Sequence, residues 1–563
     1  MQITSKDTLN SVIKRWEDAR DLLASTLTSY LDSCISLEVA LGYSQTGAKD
    51  IASRIDLTLD SLQRDMSRQF VQSTLILAQT RNKLVSSIWS LPEELLSDIF
   101  FKVVYTAENK NRPMQDGVQA MYSSLHSLMA VCSVWRNIAL TQAVLWETIP
   151  ACDEHLKYRA INLSLQRSGD RGLRLVAILP KIRGSASTRL VEMMVNHASR
   201  IRALNVEGEN LGTIIDMVTQ LLLRDGVPSQ LCELSIRFAS SRYSPSEQKT
   251  ICVVHTKSPN QEACTNLIES LAILRLSRVQ VQWENMTFSN RLVELFIHGV
   301  KLGDSESALS TFLSAISSAI ELRDLKMIEV GADRNPTETT NLTTCPKVVF
   351  PKLRTLLLHD LRFNVLEFFL LKIAPGSYYL TVGLTKNAVN IIHSNHTYDV
   401  ANIDDLAALL KGVNVNALLL VRGFSLFNPW LDGLGARKLI ESTPRLQELI
   451  MNGWGFDSDF CNGLFPSQIS GIEHGEFLFP RLELLELTQA RIFAQDIFKN
   501  MLANVSAHTT VLGGCIQVGE EDWTELEGGE TIVDWLTCSV PGFRLVDSNY
   551  LPIVLKAREW MLW

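Results

Sequence analysis

Leu91-Pro92-Glu93-Glu94-Leu95-Leu96-Ser97-Asp98-Ile99-Phe100, answered later by Val131-Cys132-Ser133-Val134-Trp135-Arg136-Asn137-Ile138-Ala139 and then Leu145-Trp146, is the stretch that decides how this chain is read. Pro92 suits the first turn of a helix, where a missing N–H costs nothing. Glu93 and Glu94 follow in that turn, toward the positive end of the helix dipole. Leu95, Leu96, Ile99, Phe100 and Val103 recur at three- and four-residue steps, which predicts an amphipathic helix. Leu125, Leu128, Val131, Cys132, Trp135, Ile138 and Ala139 predict a second helix with a broad apolar face. Two short helices cannot bury that much apolar surface between themselves. Spacing alone therefore fits either an ordinary helical core or a docking module.

The order of the residues is more specific than their spacing. Leu-Pro-x-Glu-Leu-Leu-x-x-Ile-Phe, then Val-Cys-x-x-Trp-Arg-x-x-Ala, then Leu-Trp resembles the F-box pattern, over about a tenth of the chain. The resemblance implies a module of about three helices that binds a Skp-type adaptor, itself bridged to a cullin ubiquitin ligase. It implies that Leu91, Pro92, Leu95 and Ile99 present the first docking surface. Val131, Cys132 and Trp135 match the second block, with Trp135 anchoring the fold. Residues 89–150 are assigned to this module. Residues 105–124 read as a polar insertion where a compact F-box has a short loop.

Composition frames these motifs. A chain of 563 residues, 46% hydrophobic and 20% charged, has room for two to four ordinary domains. A net charge of −8 points away from nucleic acid as a partner. The start, Met1 to Asp7, is polar and carries no signal-peptide pattern. The closest approach to an apolar span, Val365 to Ile373, is short and broken by Glu367 and Lys372. The expectation is no membrane partner and a cytoplasmic or nuclear location. Ten cysteines spread from Cys34 to Cys538 without close pairs read as reduced thiols.

Upstream, Leu9, Trp16, Leu23, Tyr30 and Leu37 fall seven apart, with Ile13, Leu27, Cys34 and Leu41 beside them. A second pattern runs through Ile51, Ile55, Leu59, Leu62, Met66, Phe70, Leu77, Leu84 and Ile88. Gly42 and Gly47 bracket the break between them. The preferred reading of residues 1–88 is a hairpin of two long helices, and the rival is a coiled-coil dimer.

Beyond Trp146 a Leu-x-x-Leu-x-Leu-like beat sets in. It runs through Leu204 and Val206, Leu234 and Ile236, Leu274 and Leu276, Leu295 and Ile297, Leu325 and Met327, and Leu356 and Leu358. It resumes at Leu418 and Leu420, Leu449 and Met451, and Leu485 and Leu487. Gaps near 30 residues suit one strand and one helix per turn. Residues 151–563 resemble a divergent leucine-rich-repeat domain. The whole is thus expected as an α+β or α/β solenoid behind a helical hairpin and a helical F-box-like module. Such a domain implies a sheet face that holds a protein target. Arg237, His298, His359, Arg422 and Trp454, at strand ends, are the candidate contacts.

Catalytic patterns are missing from the sequence: it has no phosphate loop, no His-Glu-x-x-His helix and no Gly-x-Ser-x-Gly elbow. His393 and His396 form a pair too poor in further ligands for a metal site. The acidic run from Glu520 reads as a solvated loop. Together these readings describe a non-enzymatic adaptor without cofactor or metal, docking a Skp-type adaptor and cullin at one end and an unknown protein target at the other. The competing expectation is a ligase-independent protein-binding scaffold.

Overall fold

A computed structural model describes residues 3–561, apart from 42–47, 86–87, 89–90, 107–111, 152–157, 180–191, 193–194, 223–229, 240–251, 255–257, 285, 304, 336–345, 396, 424–428, 466–478, 520–521, 530, 541 and 557–559. The chain divides into two units, Met1–Pro92 and Glu93–Trp563.

The first unit holds two long helices, α1 (Ile3–Leu41) and α2 (Ala48–Val85). Among the described residues neither helix buries a side chain, and the two do not pack along each other. In place of the close-packed hairpin expected over 1–88, the described residues form a helical region in which most apolar side chains of α1 are exposed and Leu27, Leu41, Ile51, Ile55, Leu62 and Met66 are half-buried. The periods explain the difference. The α1 stripe keeps a seven-residue repeat, whereas the α2 stripe steps by four and then by seven through Met66, Phe70 and Leu77, so the two seams drift apart in register. The reversal at 42–47 lies outside the described residues.

The second unit opens with α3 (Glu93–Val104), α4 (Met114–Val131) and α5 (Ser133–Thr141). The single helix expected over 125–139 is broken at Cys132, whose backbone is extended (φ −161°, ψ 171°). Residues 114–124, read from sequence as part of an insertion, form the first half of α4 and bury Met114, Val118 and Met121. Trp146 closes this module. It is fully buried, its Nε1–H donates to the Ala139 carbonyl at 2.8 Å, and Tyr122 meets it edge-on at 6.5 Å.

The remainder is one sheet of 16 strands: β1 Thr148–Ala151, β2 Leu173–Leu179, β3 Ile201–Gly208, β4 Glu233–Phe238, β5 Ile273–Ser277, β6 Glu294–His298, β7 Asp324–Ile328, β8 Thr355–His359, β9 Tyr379–Leu384, β10 Ala417–Val421, β11 Glu448–Asn452, β12 Gly455–Phe456, β13 Leu482–Ile492, β14 Ala507–Val518, β15 Asp522–Glu525 and β16 Phe543–Leu545. Neighbours run parallel except β14 and β15, so the acidic stretch expected as a loop supplies the antiparallel edge strand β15. The helices between the strands pack on one face, and the short helix Ile553–Lys556 lies on the other. An unbroken apolar row crosses that core from Val206 through Ile236, Leu276, Ile297, Met327, Leu358, Val382, Leu418 and Leu449 to Leu485.

This row corrects the expected solenoid of leucine-rich repeats: the finding is a single, mostly parallel sheet without equivalent turns. Up to Leu358 the row uses the third apolar residue of each beat, and from Leu418 onward it uses the second. The two-residue slip occurs at β9. Connections are equally uneven. No described helix lies between β5 and β6, whereas a helix (Ile403–Lys411) and a small antiparallel hairpin lie between β9 and β10. A Leu-x-x-Leu-x-Leu beat records which side chains point under a helix. It does not require successive turns to be alike.

Close helix contacts depend on glycine where helices Gly433–Glu441 and Ser458–Leu464 meet. A Cβ on Gly433 would lie 2.0 Å from the Phe460 carbonyl oxygen. Gly433→Ala should force the two helices apart and destabilise the protein by about 1–3 kcal/mol, read as a lower denaturation midpoint.

Candidate functional site

Apolar doublets set the character of α3. Leu95-Leu96, Ile99-Phe100 and Val103-Val104 recur every four residues, so one member of each pair lies on each of two adjacent faces. Leu96, Phe100 and Val104 are buried against α4 and α5, and the Phe100 and Trp135 rings sit 4.9 Å apart. Leu95 and Ile99 remain 48% and 37% exposed, with Val103 beside them. At the α4–α5 corner Val131 is 59% exposed and Val134 is exposed as well. Solvent-facing valine, leucine and isoleucine on three packed helices are features of the kind that mark protein contact sites.

The corner is rigid for an identifiable reason. Cys132 is the N-cap of α5: its Sγ accepts the Trp135 N–H at 3.4 Å. Arg136 Nε donates to the Met129 carbonyl at 3.1 Å, tying α5 back to α4. Trp135 is half-buried between the module's interior and its surface. Leu91 and Pro92 close the first unit, Leu91 half-buried and Pro92 exposed. A thiol is a weak acceptor, so Cys132→Ser should hold or strengthen the cap. Cys132→Ala should lose about 1 kcal/mol, measured by thermal or chemical denaturation.

The candidate target contacts separate into different settings. His298 and His359 are buried; His298 Nδ1 lies 3.0 Å from Ser277 Oγ, and His359 packs against Gly383 across the ladder. Arg237 is half-buried beside Glu207 at 3.5 Å. Burial raises the Glu207 carboxyl pKa, and Arg237 opposes that shift. Arg422 and Trp454 come together, lining a 430 Å³ cavity at the ends of β10 and β11. Trp454 is buried, with Nε1–H donating to the Leu420 carbonyl at 2.7 Å. Phe460 and Phe493 complete the apolar wall. Asp432 and Asp457 also line it, each engaged as a helix cap, accepting from Gly435 N–H at 2.7 Å and Phe460 N–H at 2.8 Å. The cavity falls in the size range of ligand and side-chain pockets.

The opposite face of the sheet carries a feature that the sequence reading missed. Leu555 and Trp560, both beyond β16, lie against it. Leu555 packs on Leu419 of β10 and Ile450 of β11. Further along, Trp560 Nε1–H donates to Asn205 Oδ1 of β3 at 2.7 Å, and its ring lies 6.4 Å from Phe296 of β6. The Trp560 carbonyl then accepts the Met114 N–H at 2.8 Å, joining the sheet to α4. Phe296, Leu419 and Ile450 sit between core residues in their strands, so strand alternation marks them as apolar residues on the face opposite the main core. That alternation was the signal that something covers this face.

Other chemistry is sparse among the described residues. No group of His, Cys, Asp and Glu could hold a metal ion. His393 pairs with Asp399 at 2.8 Å, and His396 lies outside the described residues. The described cysteines are all free thiols. Burial pushes Cys264 up to about 11 and Cys461 up to about 12, so neither is a thiolate at neutral pH. No described helix is long and apolar enough to cross a membrane. Compared with known proteins, the chain matches no family model and no curated sequence.

Proposed function

We propose that this chain is the target-recognition adaptor of a Skp–cullin–F-box ubiquitin ligase, working in the cytoplasm or nucleus. One observation carries the reading: in a helix that follows the F-box order of residues, Leu95 and Ile99 stay in solvent while Leu96 and Phe100 fill the module's interior. A helix serving only its own core has no use for a second apolar face. The Skp-type adaptor covers Leu95, Ile99 and the Val131–Val134 corner, and a cullin follows through the adaptor. The sheet unit holds a protein target, with the Arg422–Trp454 cavity as the place for an anchoring side chain. This chain contributes no bond chemistry of its own. Its effect is proximity, holding the target near the charged ubiquitin carrier.

The test is co-purification. Tagged full-length protein should retain a purified Skp-type adaptor in stoichiometric amount, and then a cullin. Failure of the adaptor to bind at micromolar concentration would remove the ligase role and leave a protein-binding scaffold.

A further inference from the structure

Helix α1 runs for 39 residues with its apolar side chains in solvent: Leu9, Ile13, Trp16, Leu23, Tyr30 and Leu37 are all between 43% and 58% exposed. Long helices of mixed composition draw most of their stability from burying an amphipathic face, and α1 buries none among the described residues. The order of residues along the stripe identifies what it fits. The stripe is self-complementary about Ser25. Two antiparallel copies aligned there set Trp16 opposite Cys34, Arg20 opposite Tyr30 and Leu23 opposite Leu27, with leucine and isoleucine in the outer layers.

Trp16 with Cys34 pairs a large side chain with a small one, Arg20 with Tyr30 pairs a cation with an aromatic face, and the remaining layers pair aliphatic side chains. A parallel pair would instead stack Arg20 on Arg20 and Trp16 on Trp16. A charged residue at a single seam position is the kind of feature that selects one arrangement over another. The positions flanking the seam are mostly small or uncharged, including Ala19, Ala24, Thr26 and Ser33, with Glu17 and Glu38 the charged exceptions. Ten seam residues at about half exposure would withdraw roughly 800 Å² per chain, the size of a standard specific interface. We propose that the chain self-associates through α1, as an antiparallel pair with a second copy of itself.

Full-length protein in sedimentation equilibrium should show twice the 63.1 kDa of one chain. Leu23→Asp with Leu27→Asp should raise the dimer dissociation constant at least about a hundredfold and leave a monomer. The circular dichroism of the sheet unit should not change, because the substituted residues belong to the first unit. Orientation is read by oxidation. In a Cys34→Ser background, Ala24→Cys should cross-link near the two-fold axis, where alignment about Ser25 leaves the two position-24 side chains on one flank of the seam, offset by about 3 Å along the helix. A monomeric wild-type protein, or a dimer that survives the double aspartate change, overturns the proposal. A Cys34–Cys34 disulfide in the wild type, without cross-linking at position 24, overturns the antiparallel arrangement.

Discussion

Replacing Leu95 and Ile99 together by aspartate should abolish capture of a Skp-type adaptor while leaving the protein folded. Each side chain, once covered by a partner, contributes about 1.5–3 kcal/mol through burial alone. Two carboxylates in the same place would have to be desolvated, which adds to the loss. The combined effect is an affinity decrease of at least about a thousandfold, readable by calorimetry or surface capture with purified components. Folding is spared because both positions face solvent, whereas the neighbouring Leu96 and Phe100 carry the packing. Leu96→Asp is the contrasting control: it should unfold the module, lowering the melting temperature as well as binding. Adaptor binding by the Leu95→Asp, Ile99→Asp protein at wild-type affinity would sink the docking surface.

Trp560→Ala should be among the most damaging single substitutions to stability. The indole is buried, packs toward Phe296 and donates to Asn205, and its backbone carbonyl receives the Met114 N–H. Truncation removes the ring's burial and leaves Asn205 without that donor, together about 3–5 kcal/mol. The loss reaches beyond the local pocket, because the same segment joins the sheet to α4. Denaturation of the variant should therefore show a lower midpoint and earlier exchange of amides in α4 than in the central strands. A change in stability under about 1 kcal/mol would mean that the end of the chain is not a structural strap on this face.

The two sites were legible to different degrees, and the reason lies in the range of the interactions. Helix α3 is a local pattern: Pro92, two glutamates and apolar residues at helical spacing announce it within twelve residues. The doublets Leu95-Leu96, Ile99-Phe100 and Val103-Val104 even carry its division into two faces. The break at Cys132 was harder to see, because Val131 to Ala139 keeps helical spacing straight through it, and only the extended cap conformation separates α4 from α5. The placement of Arg422 beside Trp454 depends on the parallel pairing of β10 with β11, which brings together residues far apart in sequence.

The sheet shows the same boundary more sharply. Leu204, Leu234, Leu274, Leu295, Leu325, Leu356, Leu418, Leu449 and Leu485 are readable as strand residues because alternation is a property of neighbouring positions. Whether successive strands are equivalent is a matter of register, and register is set by pairing between segments. The two-residue slip at β9 and the uneven connections therefore emerge only in three dimensions. So it is with the end of the chain. Trp560 and Asn205 are 355 residues apart, and nothing near either one names the other. What the amino-acid sequence determined by itself was where most helices and strands lie and which of their side chains are apolar. Which of those apolar faces are covered was decided by tertiary structure, because burial depends on which distant segment arrives to cover them.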